Sequence, residues 1–175
     1  AAFKFLFTVL KASKNITWVP LSLDELLSVA PKLGLKMDIN LFSKKNHGTQ
    51  GPMCDDLLFV GLHNTDLTLT VIPVEVKTGG TGQTLKKAVI QVEKTLSHFK
   101  GLLIGDTFEK RFYRTLFVTY ILLQIEKNES CQGTFQDGYF QTIKENQHLW
   151  LQGDYTLGEI TNDHLKHGLG IQNTD

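Results

Sequence analysis

The sequence predicts a mixed α/β domain in which helices flank a central sheet. Three observations predict it. Two apolar runs, residues 57–62 and 67–77, are separated by the turn-forming His63-Asn64-Thr65-Asp66 and read as a hairpin. An amphipathic helix follows at residues 84–100. The chain has 175 residues, 41% hydrophobic and 21% charged, enough for one domain over 1–175 with a real core.

The elements read in order as follows. Residues 3–10 are apolar and suit a helix or a strand. Trp18-Val19-Pro20 is extended, because proline steers its predecessor away from the helical region. Ser22-Leu23-Asp24-Glu25 has the serine-to-glutamate spacing of a capping box and starts a short helix that ends before Pro31. Leu35, Met37, Ile39 and Leu41 alternate, so 35–42 reads as a strand. The polar 43–53 is a loop, the hairpin follows, and 78–82 is a glycine-rich break. On the helix 84–100, Leu85, Val89, Val92, Leu96 and Phe99 fall on one face and Lys87, Gln91, Lys94 and His98 on the opposite one. Residues 108–125 read as a second long helix, although Val118 to Ile121 would also suit a strand. Residues 149–160 predict one or two strands around Gly153-Asp154. No internal repeat, low-complexity tract or linker interrupts this order.

Composition narrows the function classes. Eighteen basic residues balance eighteen acidic ones, so the net charge is zero. A free-standing DNA-binding protein is usually basic, since phosphate neutralisation supplies most non-specific affinity. Neutrality therefore suits a catalytic module brought to DNA by something else. Cys54 and Cys131 form no metal-binding spacing, and a reducing, cytoplasmic compartment is the expectation. No apolar stretch is long enough to span a bilayer. The chain begins with alanine, shows no signal-peptide layout and ends in a polar, glycine-containing run, which reads as an excerpt of a longer polypeptide.

The chemistry concentrates in the hairpin. Asp55-Asp56 leads its first strand, and Val74-Glu75-Val76-Lys77 ends its second. Antiparallel pairing brings Asp56 and Glu75 to the same edge of the sheet. Glu75 and Lys77, two apart, share a face, and Val76 between them points into the core. Two carboxylates with the Val76 carbonyl make an oxygen-only site, which suits Mg²⁺, with Mn²⁺ as substitute. Such an ion neutralises charge growing on a phosphate, and a neighbouring lysine orients water or stabilises the same charge. An E-x-K triplet alone is weak, arising by chance about once in every couple of chains this size. Its place at the end of a hydrophobic strand, between an aspartate-led strand and a helix, strengthens it. The bland alternative is a solvated same-face pair capping a strand end.

These residues resemble the PD-(D/E)xK nuclease superfamily, with Asp56 matching the first acid, Glu75 the second and Lys77 the lysine. The resemblance implies a restriction-endonuclease-like αβββαβ core, from about residue 21 to 160, and an Mg²⁺-dependent deoxyribonuclease. Gln91 resembles the glutamine that some members carry on the following helix, and Glu25 the extra acid many place on the first helix. Cys54 and Asp55 stand where the family's proline would precede the acid, which leaves Asp55 as a rival to Asp56. The segments from Trp18, Asp55 and Pro73 also look like the nuclease-like end of the large HerA-type ATPases of phosphorothioation-dependent restriction systems. That implies bacterial restriction and antiviral defence, DNA as substrate and an ATPase or translocase as partner.

Other residues have ordinary readings beside functional ones. A capping-box Glu25 serves its own helix terminus. Lys86, Lys87 and Lys94 either touch phosphates or face water. Arg111 and Arg114 among Phe112, Tyr113 and Phe117 could stack on unpaired bases, but such aromatics are more often core. His164 and His167 lack further ligands for zinc. No nucleophile elbow, dinucleotide fingerprint or phosphate-binding P-loop is present. The rival class is a nuclease fold that has lost catalysis and binds DNA or proteins.

Overall fold

The computed structural model describes residues 2–10, 15–27, 56–78, 82–130, 135–159 and 169–173. In chain order the elements are α1 (Ala2–Leu10), β1 (Ile16–Ser22), α2 (Leu23–Leu27), β2 (Leu57–His63), β3 (Thr68–Thr78), α3 (Gly82–Leu103), α4 (Phe108–Ser130), α5 (Gln141–Glu145), α6 (Gln147–Leu151), β4 (Thr156–Leu157) and β5 (Leu169–Asn173). The expected strand at 35–42, the loop at 43–53, Asp55, both cysteines, His47, His164 and His167 lie outside the described residues.

The fold is α/β with a mixed sheet in the order β1-β2-β3-β4, and β5 also pairs with β3. The N–H of Asn64 donates to Asn15 O at 3.0 Å and the N–H of Leu23 to Asp56 O at 3.3 Å. One partner's number rises as the other's falls, so β1 and β2 are antiparallel. β3 runs parallel to β4, through Thr68↔Thr156 and Leu69↔Leu157, and to β5, from Val74↔Leu169 to Thr78↔Asn173. β1 thus pairs next to β2 and precedes the capping-box helix, so the sheet extends on both sides of the 21–160 span expected for the core. The hairpin's second strand starts at Thr68 rather than Leu67, which takes φ +48° at the end of the turn, although its carbonyl still accepts the N–H of Thr156 at 3.1 Å.

Pro73 shows how β3 tolerates its composition. Successive residues of a strand turn their N–H and C=O to opposite edges. Leu69 O accepts Gly158 N–H on the β4 side, and Val76 N–H bonds to Asp56 on the β2 side. Pro73 has the parity of Leu69 and falls between the residues that pair with β4 and those that pair with β5. Among the described strands, its missing N–H therefore removes no ladder bond.

Two compact units emerge, one comprising Ala1–Pro20, Phe59–Val71 and Lys100–Ile160, the other Leu21–Leu58, Ile72–Phe99 and Thr161–Asp175. In the first, the Trp18 ring lies over Gly61, where a Cβ would come within 2.9 Å of it and 2.8 Å of Ile16. The Trp18 N–H, on the edge of β1 away from β2, donates to Tyr139 Oη at 3.0 Å, so the tyrosine satisfies a strand-edge donor. Tyr139 itself stacks with Phe135 and meets Phe7 and Phe140 edge-on. α4 is a helix throughout, Val118 to Ile121 included, because Tyr113, Phe117, Tyr120, Ile121 and Ile125 form one buried stripe. Residues 149–160 depart from expectation. Leu149 to Leu151 belong to α6, anchored by buried Trp150, and among the described residues of this span only Thr156–Leu157 is strand. The helix ends at Leu151, and the chain turns away at Gly153 (φ +71°).

The second unit buries Leu21, Leu23, Leu26, Leu58, Ile72 and Val74. α3 turns a different stripe inward from the one its large side chains suggest. Ala88, Val92, Thr95, His98 and Phe99 are buried, whereas Leu85 and Val89 are exposed. A pattern read from bulky apolar residues overlooks small ones, and here Ala88 and Thr95 occupy the inward positions.

Candidate active site

β3 delivers the predicted residues because its run of Val71, Ile72, Val74 and Val76 favours a strand and is covered on both faces. The side chain of Asp56, at the head of β2, reaches across so that Oδ2 accepts the N–H of Val76 at 2.6 Å. The carbonyl of the same aspartate accepts the N–H of Leu23, the first residue of α2. Asp56 is thereby fixed from both sides, by its backbone to the β1–α2 junction and by its side chain to β3. The sequence offered no signal for this double attachment beyond the capping box that starts α2.

Glu75 has 0% of its surface exposed, and Lys77 Nζ donates to its Oε1. The Lys77 side chain keeps 29% exposure. The bland alternative of a solvated pair therefore does not hold for the glutamate. The expected inward placement of the Val76 side chain is corrected: it is half-buried, and Glu75 is the residue fully enclosed. Where both faces of a strand are covered, alternation of residue type no longer marks inside and outside.

The donors fit a hard divalent ion. Glu75 brings a buried carboxylate, and Asp56 brings a second one to the adjoining residue. The carbonyl of Val76 shares the edge of its N–H, the edge on which Asp56 lies. Among the described residues no group of three or more His, Cys, Asp or Glu is arranged to hold a metal. Two carboxylates suffice for Mg²⁺, which keeps waters and phosphate oxygens as its other ligands.

The supporting residues are placed less closely. The N–H of Glu25 donates to Ser22 Oγ at 3.3 Å, so the cap predicted for α2 is real, and the Leu23 bond sets the start of this helix beside Asp56. Gln91 is half-buried on α3, and its carbonyl accepts the Thr95 hydroxyl at 2.8 Å. Lys86 and Lys87 are exposed on the first turns of α3, shortly after β3 ends, while Lys94 is half-buried.

Arg111 and Arg114 serve the fold instead. Arg111 Nη2 contacts both carboxylate oxygens of Asp154 at 2.6 Å. Arg114 donates to the carbonyls of Leu103, Gly105 and Gly153, tying the end of α3 to the turn after α6. Tyr113 and Phe117 are core, as expected, but Phe112 is largely exposed. Among the described residues no helix is long and apolar enough to cross a membrane.

What the fold and the site define is an α/β protein with an enclosed carboxylate, paired with a partly exposed lysine, near the end of a central strand, and a second carboxylate held to the adjoining residue. Comparison of the chain with protein-family models, curated proteins and solved structures returned no match.

Proposed function

We propose that this chain hydrolyses DNA phosphodiester bonds with Mg²⁺ or Mn²⁺, as a cytoplasmic nuclease domain of the PD-(D/E)xK type in bacterial restriction and defence. The observation that carries the reading is the complete burial of Glu75 beside Lys77, one residue from the N–H that holds Asp56. Buried ion pairs are weak stabilisers, because desolvation offsets their attraction. A local breach of good packing of this kind is expected at a working site.

In this reading Asp56, Glu75 and the carbonyl of Val76 would hold the ion. When bound, the ion supplies neutralising charge for the scissile phosphate and acidifies nearby water. Lys77 orients the attacking water or meets the negative charge that grows on the phosphate. Glu25 and Gln91 support the site, and Lys86, Lys87 and Lys94 steady the DNA backbone. The element order adds support. α1, the antiparallel β1-β2-β3, α3 and then β5 beside β3 follow αβββαβ, with α2, which carries Glu25, inserted after β1 and with α4 to α6 and the short β4 preceding the last strand. Zero net charge fits delivery to DNA by an ATPase or translocase partner.

The same neutrality, with Cys54-Asp55 in place of the family's proline, favours the second reading: a module that binds DNA or proteins without cutting. Plasmid cleavage with Mg²⁺ or Mn²⁺ by wild type, Glu75→Ala and Lys77→Ala separates the two. Cleavage by wild type that both variants lose with folding intact supports the nuclease. Cleavage that survives in both overturns the site. A wild type that neither cuts nor binds Mn²⁺ supports the binding module.

A further inference from the structure

Three observations bear on how the site stands before any ion enters it. Glu75 is fully enclosed, so its charge cannot be satisfied by bulk water. Lys77 Nζ lies on Glu75 Oε1, an oxygen that a cation at this site would use. The Lys77 side chain retains 29% exposure, whereas that of Glu75 has none, so of the two it is the lysine that reaches solvent. Asp56, held to the adjoining Val76, adds a second negative charge to the same neighbourhood.

We propose that Lys77 is the resident countercation of Glu75 in the metal-free protein, and that its ammonium leaves Oε1 in exchange for a divalent ion. This inference rests on the metal-site reading above. The charges of the residues argue for it. Between these three side chains alone, a divalent ion brings two positive charges to the carboxylates that Lys77 meets with one. An ammonium on the oxygen that binds the ion is then repelled by it, and the exposed side of Lys77 is the direction open to it. Lys77 thus weakens binding of the ion while keeping the empty site folded. It turns toward the place a phosphate would occupy only once the ion is present. A lysine that merely orients water would not compete with the ion.

Two measurements on the full 175-residue chain test the exchange. The first is calorimetric titration of wild type and Lys77→Met with Mn²⁺ alone. Removing the competitor should tighten Mn²⁺ binding by about tenfold or more, the equivalent of one charge-assisted hydrogen bond. Equal or weaker binding by the variant overturns the proposal. The second needs no variant. Acetic anhydride labelling of wild type, read by mass spectrometry, should show Lys77 reacting slowly without Mn²⁺ and several-fold faster with it, with Lys86 and Lys87 unchanged as references. Mn²⁺ binding that leaves Lys77 labelling unchanged or slower overturns the exchange alone. Absence of Mn²⁺ binding in both proteins overturns the metal-site reading together with it.

Discussion

The carboxylate of Asp56 accepts the backbone N–H of Val76 at 2.6 Å, so one side chain both completes the pairing of two strand ends and stands beside the enclosed Glu75. The two roles can be separated. Asp56→Ala should destabilise the protein by about 1.5–3 kcal/mol, the range for a charge-assisted hydrogen bond. Asp56→Asn keeps an acceptor and should lose less. Both should lose cleavage. Urea denaturation beside the plasmid assay checks this, and equal stability of wild type and Asp56→Ala would refute the register role.

Glu75→Gln removes a buried charge and preserves volume. Lys77 then returns to water through its exposed side. The metal-free variant should be at least as stable as wild type while cutting no DNA, the trade expected where a residue is retained for function over packing. Thermal denaturation in the presence of a chelator measures it. A marked fall in melting temperature would make Glu75 a structural group.

Two glycines should respond oppositely to alanine. At Gly153 the φ of +71° is unfavourable to any side chain, and a Cβ would come within 2.7 Å of Thr115 Oγ1 and 3.0 Å of Arg111 O. Gly153→Ala should destabilise by about 1–3 kcal/mol. Gly101 lies within α3, and a Cβ added there would meet nothing within 4 Å. Gly101→Ala should therefore stabilise by about 0.5–1 kcal/mol. Chemical denaturation midpoints of the two variants settle both signs.

Alkaline pH should loosen the protein through its buried phenols. Burial pushes the Tyr155 hydroxyl far above its usual 10.0, with Arg114 pulling partly the other way, and the hydroxyl donates to Arg114 O at 3.1 Å. Burial also raises Tyr139, against the opposing effect of its hydrogen bond to Trp18. A raised value in the folded state means that the unfolded chain loses its proton first. Stability is therefore unaffected below the ordinary tyrosine range and falls as pH rises above it. Urea midpoints should decline between about pH 9 and 11, and less steeply in Tyr155→Phe. A flat profile in wild type would contradict this.

The hairpin, α3 and α4 were all readable from the chain, because each is announced by local chemistry: turn residues at 63–66, β-branched runs beside them and a helical apolar period. The placement of Asp56, Glu75 and Lys77 was readable for the same reason. They stand at strand ends whose register follows from a short hairpin. Less could be read where a residue's surroundings come from far along the chain. The pairing of β1 beside β2, the contact of Tyr139 with Trp18 and the attachment of Arg111 to Asp154 all join segments more than thirty residues apart.

Sequence alone therefore determined at which ends of which strands Asp56, Glu75 and Lys77 stand, since spacing and propensity are local. Tertiary structure decided that Glu75 is enclosed while Val76 is not, that α3 buries Ala88 and Thr95 in preference to Leu85 and Val89, and that Asp56 is held by Val76 on one side and Leu23 on the other. Burial is the reason for the division. It depends on what covers a residue, and on β3, covered on both faces from Leu69 to Glu75, the alternation of side chains no longer tells the two faces apart.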